Sequence, residues 1–178
     1  MKMLGLLLLV LVTGCQSNST AEDARVEAVE VGSIPNTHAF GDILLAGQPS
    51  RADFELLAEE GTATVITLRT APEVTDYDEG QLVESLGMRF VSVPFRAPET
   101  LTDEVFEAIR NELENAEGPT VLHCGSANRV GAVWIPWRVL DGGVPLEQAV
   151  LEAKEIGLRY EPFELRAIDY VERKLAER

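Results

Sequence analysis

From residue 36 onward the chain alternates short apolar runs with stretches of helical period, and this alternation restricts its fold more than any other feature. Ile43-Leu44-Leu45-Ala46 is an apolar run ended by Gly47, and Ser50 after Pro49 is placed to cap a helix. Phe54, Leu57 and Ala58 then recur at helical spacing until Gly61 stops them. Ala63 to Leu68 is apolar and β-branched throughout, the composition of a strand buried on both faces. A helix from Glu79 to Leu86 with Gly87 as its stop, and a strand from Phe90 to Val93 ended by Pro94, repeat the pattern. Thr102 heads a helix with acids in its first turn and Val105, Phe106, Ile109 and Leu113 on its apolar face. Thr120 to His123 is the next strand. Helices follow over residues 129–140, where Pro136 predicts a kink, over 146–156 and over 163–175. Such alternation predicts an α/β fold in three layers, a mostly parallel central sheet with helices on both faces. Ligands of these sheets bind beyond the carboxyl ends of the strands.

The first residues read as a targeting segment rather than as part of this fold. Lys2 precedes the apolar stretch Leu4 to Val12, which is too short to span a bilayer. Val12-Thr13-Gly14-Cys15 resembles the bacterial lipobox, whose cysteine is acylated after cleavage. Residues 1–14 are therefore expected to be a lipoprotein signal peptide and Cys15 the lipidated residue, anchoring an exported protein. In a Gram-negative host, Gln16 would fit sorting to the periplasmic face of the outer membrane. The polar residues that follow, to about 35, read as a flexible tether, which leaves 36–178 as one catalytic domain.

Charge excludes one class of partner. With 15 basic and 30 acidic residues the chain carries a net charge of −15, the wrong sign for nucleic acid or for an anionic membrane surface. Membrane contact is expected through the lipid anchor only. Two histidines far apart and no cysteine pair offer no metal site, and no cofactor is implied. Any site for an anion must be local.

Chemistry concentrates where the last strand ends. There are two cysteines, and a lipidated Cys15 leaves Cys124 without a partner. Cys124 follows His123 at the strand end. Gly125, Ser126, Ala127 and Asn128 form a short loop, and Arg129 opens the next helix. Loop N–H groups and a helix N-terminus make an anion cradle and favour thiolate over thiol. A guanidinium fork then suits an oxyanion better than an ammonium would. Cys124 reads as a nucleophile, Arg129 as the clamp, and residues 125–128 as the substrate-binding loop, with His123 supporting it.

A His-Cys loop closed by Arg after a strand and before a helix resembles the cysteine phosphatases, including tyrosine and dual-specificity phosphatases. The closest resemblance is to a bacterial phosphatase-like family described as beta-lactamase-hydrolase-like. It rests on Gly47-Gln48-Pro49-Ser50, Thr64-Val65-Ile66-Thr67-Leu68-Arg69, Gly87-Met88-Arg89-Phe90 and the loop from His123 to Gly131, over roughly residues 36–158. The resemblance implies a three-layer phosphatase-like fold, a phosphocysteine intermediate, and a phosphorylated protein or small molecule as substrate. Two departures stand out. The Cys124–Arg129 spacing is one residue shorter than the common signature, and Val130 replaces the usual Ser or Thr. The shorter loop instead matches rhodanese-type sulfurtransferases, in which Cys124 would carry a persulfide. The general acid expected of relatives, an Asp in the loop after the strand ending at Pro94, is also missing. Glu99 and Asp103 are the candidates there, and without an acid the chain could serve as a weak anion- or partner-binding module. Arg69 reads as a surface partner of Glu73 or a substrate ligand. Gln48 and His38 read as turn or core residues that could also line the site.

Overall fold

The computed structural model describes residues 25–73 and 76–178, so the expected signal peptide and the lipidated Cys15 lie outside the described residues. Six strands form one sheet: β1 (Glu27–Ala28), β2 (His38–Phe40), β3 (Ile43–Ala46), β4 (Thr64–Thr67), β5 (Arg89–Ser92) and β6 (Thr120–His123). Their spatial order is β1-β2-β3-β6-β4-β5. The four strands β3, β6, β4 and β5 are parallel, with Ala46, His123 and Thr67 in one register at their carboxyl ends. The α/β expectation holds.

The amino-terminal edge differs from the expectation of a free tether. β1 pairs antiparallel with β2, and β2 with β3, while Val26 and Ile34 are buried. Residues 26–34 alternate poorly, so no apolar period marks them; they are held by an existing sheet edge and by two isolated apolar anchors.

Helices cover both faces. α1 (Arg51–Glu59) and α2 (Glu79–Ser85) pack on one side, where Phe54, Leu57, Val83 and Met88 meet Val65 and Val121 of the sheet. α3 (Asp103–Glu114), α4 (Asn128–Leu140), α5 (Leu146–Ile156) and α6 (Glu161–Ala176) make the larger layer on the other side. Ser50 caps α1 as expected, its hydroxyl accepting from the Asp53 N–H while Asp53 accepts from the Ser50 N–H. Thr102 heads α3 without a side-chain cap.

α4 is the axle of the molecule. Every residue from Arg129 to Leu140 is buried, because α3, α5 and α6 surround it. Pro136 lies inside it and the helix runs on through to Leu140. Gly131 explains how α5 comes so near: a Cβ there would stand 2.6 Å from the Ala153 carbonyl oxygen and 2.8 Å from Leu158 Cβ. The helix that begins at the Cys124 loop is therefore fixed along its whole length.

Candidate active site

β6 delivers Cys124 to the carboxyl edge of the sheet, and the backbone there is tied to its neighbours. The Cys124 N–H donates to the Ala46 carbonyl and the Leu68 N–H to that of His123. Cys124 is 1% exposed, while Gly125 beside it is exposed, so the thiol lies at the base of the loop. Gly47 crosses directly over this loop. A Cβ at Gly47 would clash at 2.7 Å with both Pro35 Cγ and the Pro35 carbonyl, and would stand 3.4 Å from the Gly125 carbonyl. The close approach of Pro35 accounts for the glycine of the Gly-Gln-Pro turn.

The loop closes through Ala127, a buried non-glycine residue in the left-handed region at φ 62°. Such a conformation costs an alanine about 1–2 kcal/mol and persists only where its surroundings impose it. They do so on both sides. Asn36 Nδ2 donates to the Ser126 carbonyl at 3.2 Å, and Asn128 Oδ1 accepts from the backbone N–H groups of Arg159 and Tyr160 at 2.8 and 3.2 Å. Asn128, Arg129 and Val130 begin α4, where backbone N–H groups have no intrahelical acceptor.

Arg129 is 8% exposed and held from three directions. Nη1 donates to the Leu68 and Phe95 carbonyls at 3.0 and 2.7 Å, and both Nη atoms grip Glu73, at 3.0 and 2.7 Å. Burial alone would raise the Glu73 carboxyl, but hydrogen bonds from Arg129 and from the N–H and hydroxyl of Thr70 pull it down to about 2. Burial likewise opposes the Arg129 charge, and Glu73 and the neighbouring Cys124 outweigh it, raising its pKa. Five N–H donors are present on a guanidinium. The Nη1–Nη2 edge faces Glu73, which leaves Nε–H and the second Nη2–H along the other edge.

A buried polar chain runs behind His123. The imidazole is fully buried against Phe54, and its Nε2 lies 3.2 Å from Glu79 Oε1, an ion-pair distance without hydrogen-bond alignment. Burial would raise the Glu79 carboxyl, yet His123 first, then Gln48 and Thr67, hold it below the usual range. Gln48 Nε2 donates to Glu79 Oε2 at 2.6 Å while its Oε1 accepts from Arg69 Nη1. Arg69 Nη2 donates to the Glu73 carbonyl. A cleft of about 640 Å³, walled by Ser33, Gln48, Arg51, Arg69, Glu73 and Tyr77, adjoins the thiol loop through Gln48 and Glu73.

The structure brings Cys124, Gly125, Ser126, Ala127, Asn128, Arg129 and His123 together at one sheet edge. Arg69 touches the main chain of Glu73, whereas the Glu73 carboxylate goes to Arg129, a correction to the simple Arg69–Glu73 pair. Gln48 is a connector between Arg69 and Glu79. His38 sits on β2, two strands away from β6. Asp103 is also placed differently from a proton donor: Arg173 grips it at 2.7 and 2.8 Å and holds its carboxyl below the usual range. Glu99 is exposed in the short 3-10 turn over residues 98–100, four residues after the Phe95 carbonyl that touches Arg129. Glu73 is on the active edge as the sequence suggests, but its partner Arg129 was not legible, and neither were Glu79 behind His123 nor Tyr160 beside Asn128.

Comparison with known proteins supports the same architecture. No family model matches the chain. It is 28% identical over 106 residues to the beta-lactamase hydrolase-like protein of Agrobacterium fabrum, covering 57% of this chain and 24% of that one. The chain thus spans about a quarter of the length of that relative. The crystal structure of TpbA from P. aeruginosa superposes with a TM-score of 0.66 at 23% identity, covering 86% of this chain and 92% of that one. TpbA has also been solved in complex with pTyr. A crystal structure of a DUF442 protein from Shewanella putrefaciens CN-32 gives a TM-score of 0.64 at 21% identity, over 79% and 91% of the two chains. With a mostly parallel sheet, helices on both faces and a thiol loop at its carboxyl edge, the chain has the α/β fold of the phosphatase structures it matches.

Proposed function

We propose that this chain is a cysteine-dependent phosphatase that hydrolyses phosphate monoesters through a phosphocysteine. The observation that carries this reading is the posture of Arg129. Glu73 and two carbonyls hold both Nη atoms of its guanidinium, and Cys124 lies close enough to help keep it charged. A clamp fixed before substrate arrives needs little reorganisation as charge moves onto the equatorial oxygens.

The steps follow from that geometry. The Cys124 thiolate attacks phosphorus in line, and the S–P bond forms as the ester P–O bond breaks. Arg129 and the N–H groups of the loop hold the phosphoryl oxygens. The leaving oxygen takes a proton, for which Glu99 is the carboxyl of the loop beside Arg129. Water then attacks the phosphocysteine, giving a proton to the Glu99 carboxylate, and the S–P bond breaks to release inorganic phosphate and the thiolate. Aryl esters are the favoured class, because a phenol leaves with far less need of a proton than an alcohol does. TpbA, with its pTyr complex, supports the same class.

The signal-like amino terminus supports export and anchoring through Cys15, with the catalytic domain beyond the tether. No nucleic acid partner is proposed. The shorter loop favours the persulfide reading, so the test is built to separate the two. Purified protein under reductant would be offered p-nitrophenyl phosphate and, separately, thiosulfate with cyanide. Phosphate release that Cys124→Ser and Arg129→Ala both abolish is the expected result. Thiocyanate production without phosphate release would overturn it.

A further inference from the structure

Among the described residues only two other than glycine hold a positive φ, Asn36 at 52° and Ala127 at 62°. They meet at the thiol loop. Asn36 Nδ2 donates to the Ser126 carbonyl at 3.2 Å, on the peptide that leads into Ala127. An asparagine takes the left-handed conformation at little cost, because its short polar side chain bonds locally. Ala127 has no such compensation, and it is fully buried. Its conformation must be imposed through the Ser126–Ala127 peptide.

A trans peptide is planar, so its C=O and the N–H that follows point in opposite directions. Turning the Ser126–Ala127 peptide over would carry Ala127 to negative φ and relieve it. The same turn would bring the Ser126 oxygen to where the Ala127 N–H now points. Asn36 opposes that turn by engaging the oxygen, and Arg159 Nη2, at 3.5 Å, is a more distant donor to it. The preceding peptide is held in a similar way by the Gln48 N–H, which donates to the Gly125 carbonyl at 3.4 Å. Asn36 is a fixed support because the chain is tied down on both sides of it. The Ser33 N–H and hydroxyl donate to the Asp53 carboxylate at 2.7 and 2.8 Å. The Pro35 carbonyl accepts from the Gly47 N–H at 2.8 Å, and buried Thr37 donates its hydroxyl to the Val29 carbonyl. Residues 33–37 thus form a strap between β1 and β2, laid against the Gly47 turn.

We propose that Asn36 is a positioning residue for the phosphatase reaction: by holding the Ser126 carbonyl outward, it keeps the Ala127 N–H turned into the loop as a donor to the phosphoryl oxygens. Ala127 supplies the opposing bias. Strain of that kind shifts a conformational equilibrium by roughly five- to thirtyfold. Without Asn36 the loop turns its carbonyl inward, where it repels an oxyanion. An N–H already aimed at the developing charge needs no reorganisation at the moment of reaction. This inference rests on the phosphatase reading, and oxyanion binding tests it apart from turnover.

The test is calorimetric titration of the Cys124→Ser protein with tungstate, a tetrahedral oxyanion. Asn36→Gly keeps the left-handed backbone free of strain and removes only the donor. It should weaken tungstate binding about fivefold or more. The decisive comparison repeats this substitution in a protein that also carries Ala127→Gly. Glycine takes either sign of φ about equally readily, so there Asn36→Gly should cost less than about twofold. A merely structural role for Asn36 would lower the melting temperature and show no dependence on residue 127. Unchanged binding in Asn36→Gly overturns the proposal, as does a loss of the same size with alanine and with glycine at 127. A parent protein that binds no tungstate overturns it too. Should the variants behave as expected while the wild-type protein releases no phosphate, the latch stands and the catalytic reading fails.

Discussion

Arg129 is gripped through both Nη atoms, and Glu73 is the residue that holds them both. Replacing Glu73 by Gln keeps the shape but removes the charge that offsets a buried guanidinium. We expect kcat/KM toward p-nitrophenyl phosphate to fall by about tenfold or more, and stability by roughly 1–3 kcal/mol in urea denaturation. The pH dependence has a definite sign. The Glu73 carboxyl is held at about 2 against an ordinary 4.5, so its stabilisation is present above 4.5 and is lost as pH falls toward 2. The stability difference between wild type and Glu73→Gln should therefore be constant near neutrality and shrink below about pH 4.5. A difference that grows on acidification would contradict the assignment. The pairing could not be read from the sequence because Arg69 lies four residues from Glu73, whereas Arg129 lies 56 away. Local spacing favours the nearer cation; the sheet order brings in the distant one.

Among the elements, α4 carries the clamp. Its closest neighbour is α5, and Gly131 lets the Ala153 carbonyl approach to a distance that no Cβ tolerates. Gly131→Ala should push α5 away and lower stability by about 1–3 kcal/mol, with a larger proportional loss of kcat than of KM, since Arg129 sits two residues earlier. Unchanged stability would mean that α5 yields freely. Asn128→Ala tests the other end of the helix. It removes the acceptor shared by the Arg159 and Tyr160 N–H groups, one of the contacts that hold the Ala127 loop, and should lower stability by about 1–2 kcal/mol together with kcat toward p-nitrophenyl phosphate; unchanged stability and turnover would contradict that role. The strands and helices from Ile43 onward were legible because apolar period and glycine stops agree there. β1 was not, since two residues paired at an edge leave no period, and Pro136 proved compatible with a continuous helix.

At the scale of the molecule, the parallel strands bring four segment ends to one edge: the Gly47 turn after β3, Arg69 to Glu73 after β4, Phe95 after β5 and the Cys124 loop after β6. The thiol loop and its arginine were readable as a contiguous motif, and the α/β class followed from the alternation. The supporting residues come from different segments, so only the fold could collect them. Glu79 behind His123 and Tyr160 beside Asn128 are of this kind. Leaving-group dependence belongs at this scale as well, because it depends on how the whole edge handles the departing oxygen. Phenyl phosphates should be hydrolysed much faster than alkyl phosphates, and Glu99→Gln should slow the alkyl esters more, as read from kcat across a leaving-group series. A flat series would argue for a stronger acid elsewhere.

The central claim is a covalent bond between Cys124 and phosphorus, and trapping it is the most direct test. The protein would be mixed with excess p-nitrophenyl phosphate, quenched in acid during turnover, digested and analysed by mass spectrometry. The account predicts one phosphoryl group on the sulfur of Cys124, absent from Cys124→Ser protein treated in the same way. Phosphate release with no label on Cys124, or label on another residue, would contradict it.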